Sequence, residues 1–202
     1  MSQSGSHDTQ GGTTRLQARR RVYLIRHGEA AASWGEAADP GLSDQGHDQA
    51  RDSCGQLAAR LDGNAATLIS SPMRRARETA APLTERLGAP LKVDERFREI
   101  PSPVALDHRQ DWLRAFMRAS WSEQGAALHR WRDEVLGAFA ALEDHSVVFT
   151  HFLVLNTILG WAEDRDETLL FWPANASITM ALEASDGSWQ FELGVQMRSR
   201  VN

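Results

Sequence analysis

Short apolar runs alternate along this chain with segments in which apolar residues recur every three or four positions. The clearest runs are residues 22–25, 66–69 and 146–150, and their β-branched and large apolar side chains are typical of strands buried on both faces. A weaker run at 91–93 predicts a further strand. The stripes between the runs predict helices, so the chain alternates strand with helix.

The helices have recognisable start and stop signals. Ser43 is placed to cap the first of them, and Ser71 followed by Pro72 is expected to open the second, because a hydroxyl binds free N–H groups and proline suits the first helical position. Gly88 is a typical helix end. The predicted helices are residues 44–61, 72–87, two within 107–142 that are split near 122–125, and 152–161.

The end of the chain has a different pattern. Residues 177–183 and 189–195, joined through Asp186 and Gly187, are typical of a β-hairpin with a tight turn. Strand and helix alternation up to residue 161 favours a mostly parallel sheet with helices on both faces, to which the hairpin adds antiparallel strands. We therefore predict an α/β fold, a three-layer sandwich with a C-terminal β-hairpin.

Length and charge narrow the possibilities. With 202 residues the chain suits one domain, which we place at 21–202, after a polar segment at 1–20 that is typical of disorder. A formal net charge of -5 argues against nucleic acid or an anionic membrane as a partner. Any bound anion must therefore be held by local cations.

Cysteine content and hydropathy indicate the compartment. The lone cysteine, Cys54, excludes an internal disulfide and lies on the apolar stripe of its helix, so we expect a core residue in a reducing environment. The most apolar stretch, 147–161, is too short to cross a bilayer, and residues 1–20 lack the apolar segment of a signal peptide. These features predict a cytoplasmic protein, and the sequence carries no signal of its oligomeric state.

Four side chains with useful chemistry follow predicted strands or begin the helix after one. Arg26 and His27 follow the first strand, Arg75 lies in the first turns of the second helix, and His151 follows the strand at 146–150. Because the carboxyl ends of parallel strands meet at one edge, these residues are expected to converge. Two guanidinium groups and two imidazoles suit a tetrahedral phosphoryl dianion.

The motifs around two of these positions resemble a known family. A strand followed by Arg26, His27 and Gly28 resembles the signature of the histidine phosphatase superfamily, the phosphoglycerate-mutase-like proteins, in which this histidine carries the phosphoryl group covalently. Residues 69–80 resemble the family's second motif, in which the arginine before alanine, here Arg75, binds phosphate. The resemblance therefore supplies roles for both positions.

Two further segments resemble the same family. Residues 147–151 resemble the strand that delivers its second phosphate-binding histidine, here His151. Residues 94–100 resemble the segment that bears its acid/base carboxylate, which falls on Glu99. Carboxylates near Glu99 are rival candidates for that role: Asp94, Glu95 and Asp107.

The resemblance implies the family's fold and a metal-independent phosphatase acting on a small phosphomonoester. On that reading His27 attacks phosphorus to form a phosphohistidine while Glu99 protonates the leaving alcohol, and water then releases phosphate. Arg26, Arg75 and His151 complete the phosphate site. No metal or other cofactor is implied, because the arginines supply the positive charge.

The chain departs from the family pattern around the distal part of the pocket. Ala30 and Ser33 stand where many members have Thr or Ser and Asn, Phe152 replaces the usual glycine after the second histidine, and residues 101–103 replace a glycine-containing stretch. These departures favour hydrolysis. The alternatives are a phosphoglycerate-type mutase, a protein phosphohistidine phosphatase and, from another class, a phosphate-binding module with weak catalysis. Tryptophans in predicted loops or short helices fit either an aromatic binding wall or the core: Trp34, Trp112, Trp121 and Trp172.

Overall fold

A six-stranded sheet forms the centre of the protein, in a computed structural model that describes residues 19–32 and 37–197. Its strands lie in the order β3-β2-β4-β1-β5-β6. The strands β3, β2, β4 and β1 are parallel, whereas β5 pairs antiparallel with β1 and β6 pairs antiparallel with β5. The predicted mostly parallel sheet with a terminal hairpin is thus confirmed. The strands are β1 (Arg20–Arg26), β2 (Thr67–Ser70), β3 (Leu91–Val93), β4 (Ser146–Thr150), β5 (Ile178–Glu183) and β6 (Trp189–Glu192).

Helices cover both faces of the sheet. On β1, Tyr23 and Ile25 pack in a core cluster with side chains of α1 and α2, while Val22 and Leu24 pack in a second cluster with side chains of α3, α4 and α5. This alternation follows from the two-residue period of a strand, and it makes the predicted three-layer sandwich. The helices are α1 (Asp44–Leu61), α2 (Arg74–Leu87), α3 (Arg109–Phe116), α4 (Ala126–Ala140) and α5 (Phe152–Ala162).

Cys54 and three of the tryptophans that could belong to the core or to a binding wall lie in or against the core. Cys54 lies in the cluster under α1, as expected. Trp121 is 1% exposed and stacks on Trp131, with ring centroids 6.2 Å apart. Trp112 and Trp172 are partly buried against the same cluster, so the core interpretation holds for these positions. Trp34 lies outside the described residues.

The helix boundaries agree with the sequence signals except at the start of α2. Ser43 accepts a hydrogen bond from Gly46 N and caps α1, and Gly88 ends α2 in a left-handed conformation. The predicted opening of α2 by Ser71 and Pro72 is wrong, because the helix begins at Arg74 and its N-cap residue makes no side-chain hydrogen bond. The hydroxyl of Ser71 is used elsewhere, in the site described below.

A carboxylate from a distant loop compensates the start of α2. Asp39 Oδ1 accepts from Arg74 N at 2.8 Å and lies 3.8 Å from Arg75 Nη1. Arginines in the first turn oppose the helix dipole, and an anion at the amino end offsets that cost. Asp39 therefore supplies the negative charge that α2 lacks in its own first turn.

Both ends of the sheet differ slightly from prediction. Most of the expected disordered segment, residues 1–18, lies outside the described residues, but β1 already begins at Arg20, whose Nε pairs with Glu183 Oε2 at 2.8 Å. The last strand ends at Glu192 rather than at residue 195. Within the described ranges, no helix has both the length and the apolar character needed to cross a membrane.

Candidate active site

Strand register brings the two predicted histidines side by side. Arg26 of β1 pairs with Thr150 of β4, so His27 and His151, the next residues of the two strands, leave the sheet together. His27 N donates to Thr150 O at 2.9 Å, and the two imidazole centroids are 5.2 Å apart. The convergence follows from parallel pairing, in which adjacent carboxyl ends share an edge.

Hydrogen bonds define the tautomer of His27. Its Nδ1 lies 2.7 Å from Gly28 O, and a carbonyl only accepts, so Nδ1 carries the proton. Nε2 is then the unprotonated nitrogen, and it accepts from Arg75 Nε at 3.1 Å. The side chain is 5% exposed. This arrangement holds a nitrogen lone pair toward the same space as the Arg75 guanidinium.

Arg75 also contacts the second histidine. Its Nη2 lies 3.3 Å from His151 Nδ1, and because a guanidinium only donates, Nδ1 accepts and Nε2 carries the proton. That Nε2–H donates to Ser71 Oγ at 2.7 Å. Ser71 therefore orients His151, a role that sequence analysis missed because it assigned the hydroxyl to the helix cap.

Arg26 contacts the ring of Phe152 and a backbone carbonyl. Its Nη1 donates to Pro173 O at 2.7 Å, and its guanidinium carbon lies 5.4 Å from the centre of the Phe152 ring. Phenylalanine at 152 thus supports the cation by a cation–π contact. Among the described residues nothing accepts from Arg26 Nε, although this atom is buried. Burial, with only partial compensation by Glu99, lowers the pKa of Arg26 to about 10.

Gly28 is required by close backbone packing. A Cβ at Gly28 would lie 2.6 Å from Gly46 O, and a Cβ at Gly46 would lie 2.1 Å from Glu29 O. The segment after β1 therefore rests directly on the first turn of α1. Gly28 N also donates to Thr79 Oγ1 at 2.9 Å, which ties the segment to α2. Gly28 therefore serves the close packing of this segment against α1 and α2.

Glu99 is the buried carboxyl of its segment. It is 8% exposed, its Oε1 accepts from Ile100 N at 3.1 Å, and it lines the same cavity as His27 and Arg75. Burial raises the pKa of Glu99 above the ordinary value, against the opposing effect of nearby arginines. The rival carboxylates lie outside this cavity and pair with their own neighbours: Asp94 with Arg96, Glu95 with Arg98, and Asp107 with His108.

Both imidazoles are neutral in this environment. Burial first, and then the positive charge of Arg75, hold the pKa of His27 and of His151 well below the ordinary value. A neutral imidazole with a free Nε2 is a nucleophile, whereas an imidazolium is not. The nearby arginines can therefore attract an anion and, together with burial, they favour the neutral form of His27.

The cavity itself is small and has an unexpected cation. It has a volume of about 30 Å³. Arg109, the first residue of α3, lines it, and the sequence analysis did not single this residue out. The only signal was an arginine at a helix start, where it opposes the dipole. The described lining residues are His27, Ala30, Ala32, Ala37, Ala38, Pro40, Arg75, Glu99, Arg109 and Leu113.

Other surface features of the described residues do not include the predicted site. A wider groove between α1 and α2, lined by His47, Glu78 and Arg86 among others, contains none of the five predicted site residues. In the part of the chain that the structure describes, no group of three or more His, Cys, Asp or Glu side chains is arranged to hold a metal ion.

The chain is similar in sequence to two phosphoglycerate-related enzymes and in structure to a third protein. A glucosyl-3-phosphoglycerate phosphatase from Mycolicibacterium vanbaalenii is 29% identical over 177 residues, which cover 82% of this chain and 73% of the relative. A probable phosphoglycerate mutase from Erwinia tasmaniensis is 25% identical over 185 residues, covering 80% of each. A mycobacterial glucosyl-3-phosphoglycerate phosphatase solved with VO3 superposes with a TM-score of 0.66 at 26% identity, covering 86% of this chain and 98% of that one.

The sequence profile of the histidine phosphatase superfamily, branch 1, matches residues 22–195, which include every residue of the cavity. That span is most of the 202-residue chain. The chain therefore belongs to the histidine phosphatase superfamily.

Proposed function

We propose that this protein is a phosphatase that hydrolyses a small phosphomonoester through a phosphohistidine on His27, without a metal ion. The observation that carries the proposal is the state of His27, whose Nδ1 proton is held by Gly28 O while its Nε2 lone pair faces Arg75. A nitrogen held in this way beside buried cations has the geometry needed to attack a phosphorus atom.

In the first step, His27 Nε2 forms a bond to phosphorus while the bond from phosphorus to the leaving oxygen breaks. The protonated Glu99 carboxyl gives its proton to that oxygen, and its raised pKa keeps this acid available at higher pH than an ordinary glutamate. Arg26 and Arg75 stabilise the charge on the three spectator oxygens, and His151 contributes in the substrate complex as the tautomer with its proton on Nδ1, in which Nε2 accepts from the Ser71 hydroxyl.

In the second step, water attacks phosphorus and the bond to His27 Nε2 breaks. The Glu99 carboxylate left by the first step accepts the water proton, so inorganic phosphate departs and both side chains return to their starting states. During both steps His27 keeps its proton on Nδ1, which donates to Gly28 O, and this prevents reaction at the wrong ring nitrogen.

The named relatives bear on the choice between hydrolysis and transfer. Two of the three are phosphatases of glucosyl-3-phosphoglycerate, and the third is a probable phosphoglycerate mutase. A mutase would pass the phosphoryl group from His27 to a second alcohol in place of water. The two named phosphatases support water as the acceptor in this chain.

The test is hydrolysis of an aryl phosphate in the presence of EDTA by the wild-type protein and by His27→Ala, with His47→Ala as the control because His47 is exposed and lies outside the cavity. We expect turnover that vanadate inhibits, that His47→Ala retains and that His27→Ala abolishes. Full activity of His27→Ala would exclude the covalent mechanism. Phosphate binding without turnover by the wild-type protein would indicate a binding module instead.

A further inference from the structure

The segment that carries Glu99 is held by tertiary contacts, because it has little secondary structure of its own. Among residues 94–100 only Glu95–Phe97 form a short 3-10 turn, so Glu99 lies on neither a strand nor a helix. In the described part of the chain, the Glu99 carboxyl accepts a hydrogen bond only from Ile100 N, its own neighbour. The position of the carboxyl therefore depends on the contacts that fix the backbone of the segment.

Thr150, the last residue of β4, makes one of these contacts. Its Oγ1 donates to Phe97 O at 2.8 Å, although the two residues are 53 positions apart in the sequence. Both residues are 0% exposed. A hydroxyl that has no access to water needs a partner inside the protein. Thr150 finds that partner two residues before Glu99.

The same residue also contacts the backbone of the proposed nucleophile. Thr150 O accepts from His27 N at 2.9 Å. Since the carbonyl binds the His27 segment and the hydroxyl binds the Glu99 segment, Thr150 joins the two stretches of chain that carry the proposed nucleophile and acid. The two hydrogen bonds use different atoms, so a substitution of the side chain removes one and leaves the other in place.

We infer that Thr150 is a positioning residue, which sets the distance between the Glu99 carboxyl and the leaving oxygen through its hydrogen bond to Phe97 O. The inference rests on the proposed function, in which Glu99 protonates that oxygen. A general acid must lie within about 3 Å of the atom that it protonates, and a misplacement of about 1 Å lowers the rate by about 100-fold. Without the hydroxyl, Phe97 O loses a buried donor, and the segment shifts to compensate.

The test compares two esters that differ in how much they need the acid. p-Nitrophenyl phosphate releases a stable phenolate, whereas the alkoxide of benzyl phosphate needs a proton as it departs. Thr150→Val keeps the branched shape of the side chain without its hydroxyl. We expect this variant to lower kcat/KM for benzyl phosphate by about 10- to 100-fold and to leave that for p-nitrophenyl phosphate nearly unchanged. The ratio of the two values should fall by nearly the same factor.

Two variants serve as controls. Thr150→Ser keeps the hydroxyl and should keep the wild-type ratio. Thr157→Val is the matched substitution, because Thr157 is also buried but its Oγ1 donates to Leu153 O within α5. It should keep the wild-type ratio as well. Because the ratio is taken within one variant, a general defect in folding lowers both rates equally, and Thr150→Ala replaces Thr150→Val, with the same expected fall, if the valine variant does not fold.

A double variant separates positioning of the acid from other effects of Thr150. In Glu99→Gln the acid is already absent, so the addition of Thr150→Val should not lower the ratio further. An additional fall would show that Thr150 acts on the leaving group by another route.

Two sets of results would contradict different parts of the reasoning. An unchanged ratio in Thr150→Val, a fall of the same size in Thr150→Ser, or a further fall in the double variant would overturn the role of Thr150 alone. Absence of turnover of both esters by the wild-type protein, or full activity of His27→Ala, would overturn the proposed function itself.

Discussion

Substitution of Arg75 separates two effects of one side chain, its hydrogen bonds and its charge. Arg75 Nε donates to His27 Nε2 at 3.1 Å, and Nη2 donates to His151 Nδ1 at 3.3 Å. In the substrate complex we expect phosphoryl oxygens to accept from these same N–H groups. Arg75→Lys keeps a positive charge but replaces the fork by a single ammonium, whereas Arg75→Gln loses the charge as well.

The magnitude follows from the two donors. A hydrogen bond to a charged group contributes about 1.5 to 3 kcal/mol, and Arg75 is 6% exposed, so solvent screens it little. Because about 1.4 kcal/mol changes a rate tenfold, loss of one bond in Arg75→Lys should lower kcat/KM by about 10- to 150-fold. Loss of both in Arg75→Gln should lower it by about 10²- to 10⁴-fold.

The pH profile distinguishes the charge from the hydrogen bonds. His27 must be neutral to attack, and Arg75 is one cause of its lowered pKa after burial. Removal of that cation in Arg75→Gln raises the pKa of His27, so the acidic limb of kcat/KM should move to higher pH. In Arg75→Lys the cation remains, and the limb should stay near its wild-type position.

The assay is aryl phosphate hydrolysis across about pH 4 to 9, with vanadate inhibition measured in parallel. Arg77→Lys and Arg77→Gln are the controls, because Arg77 lies on the same helix and is exposed. They should match the wild-type protein. If Arg75→Lys retained full kcat/KM and vanadate affinity, the guanidinium would not contact the reacting group and the proposed site would be wrong.

Three further substitutions test other parts of the site. Glu99→Gln should lower the rate by about 10²- to 10⁴-fold for esters with poor leaving groups and much less for aryl phosphates. Because burial raises the pKa of Glu99 above its unfolded value, its ionisation destabilises the fold as pH rises, so the melting temperature of Glu99→Gln relative to wild type should increase from acidic to neutral pH. Gly28→Ala should destabilise the protein by about 1 to 3 kcal/mol in denaturant unfolding, because its Cβ meets Gly46 O, whereas Gly55→Ala, in open space within α1, should be neutral or stabilising. Ser71→Ala should lower kcat/KM about tenfold, because His151 Nε2 loses the hydrogen bond that orients the ring. Ser53→Ala, which loses a hydrogen bond inside α1, should leave kcat/KM unchanged.

The sequence was sufficient to predict the strands and helices that pack against the core, and the site residues that they carry. The helix at 44–61 was predicted with its observed bounds, because Ser43 and the apolar stripe specify it locally. Arg26, His27 and His151 could be brought together in prediction because parallel strands align their carboxyl ends, and the structure pairs the two strands directly. Local pattern and one topological rule were enough for these positions.

The start of α2 shows where local signals were insufficient. Ser71 has the sequence context of a helix cap, but its hydroxyl accepts from His151 Nε2, a partner that is 80 positions away. The negative group that the helix needs comes from Asp39. The Ser71 hydroxyl also accepts from Met73 N at 3.3 Å, which is the kind of local bond that the sequence suggests, but only the fold determines its distant partner.

The proposed phosphate site and the rest of the cavity wall differ in how firmly the core holds them. The residues that we propose to bind phosphate are attached to β1, β4 and α2, and both core clusters fix those elements. No described residue of 30–40 belongs to either cluster, so substitutions there change the cavity without a large cost to the core. Arg109 occupies an intermediate position, because α3 is anchored by Leu113 and Phe116 while its first residue lines the cavity. Substitutions in the loop at 30–40 can therefore reshape the cavity while β1, β4 and α2 keep His27, His151 and Arg75 in place.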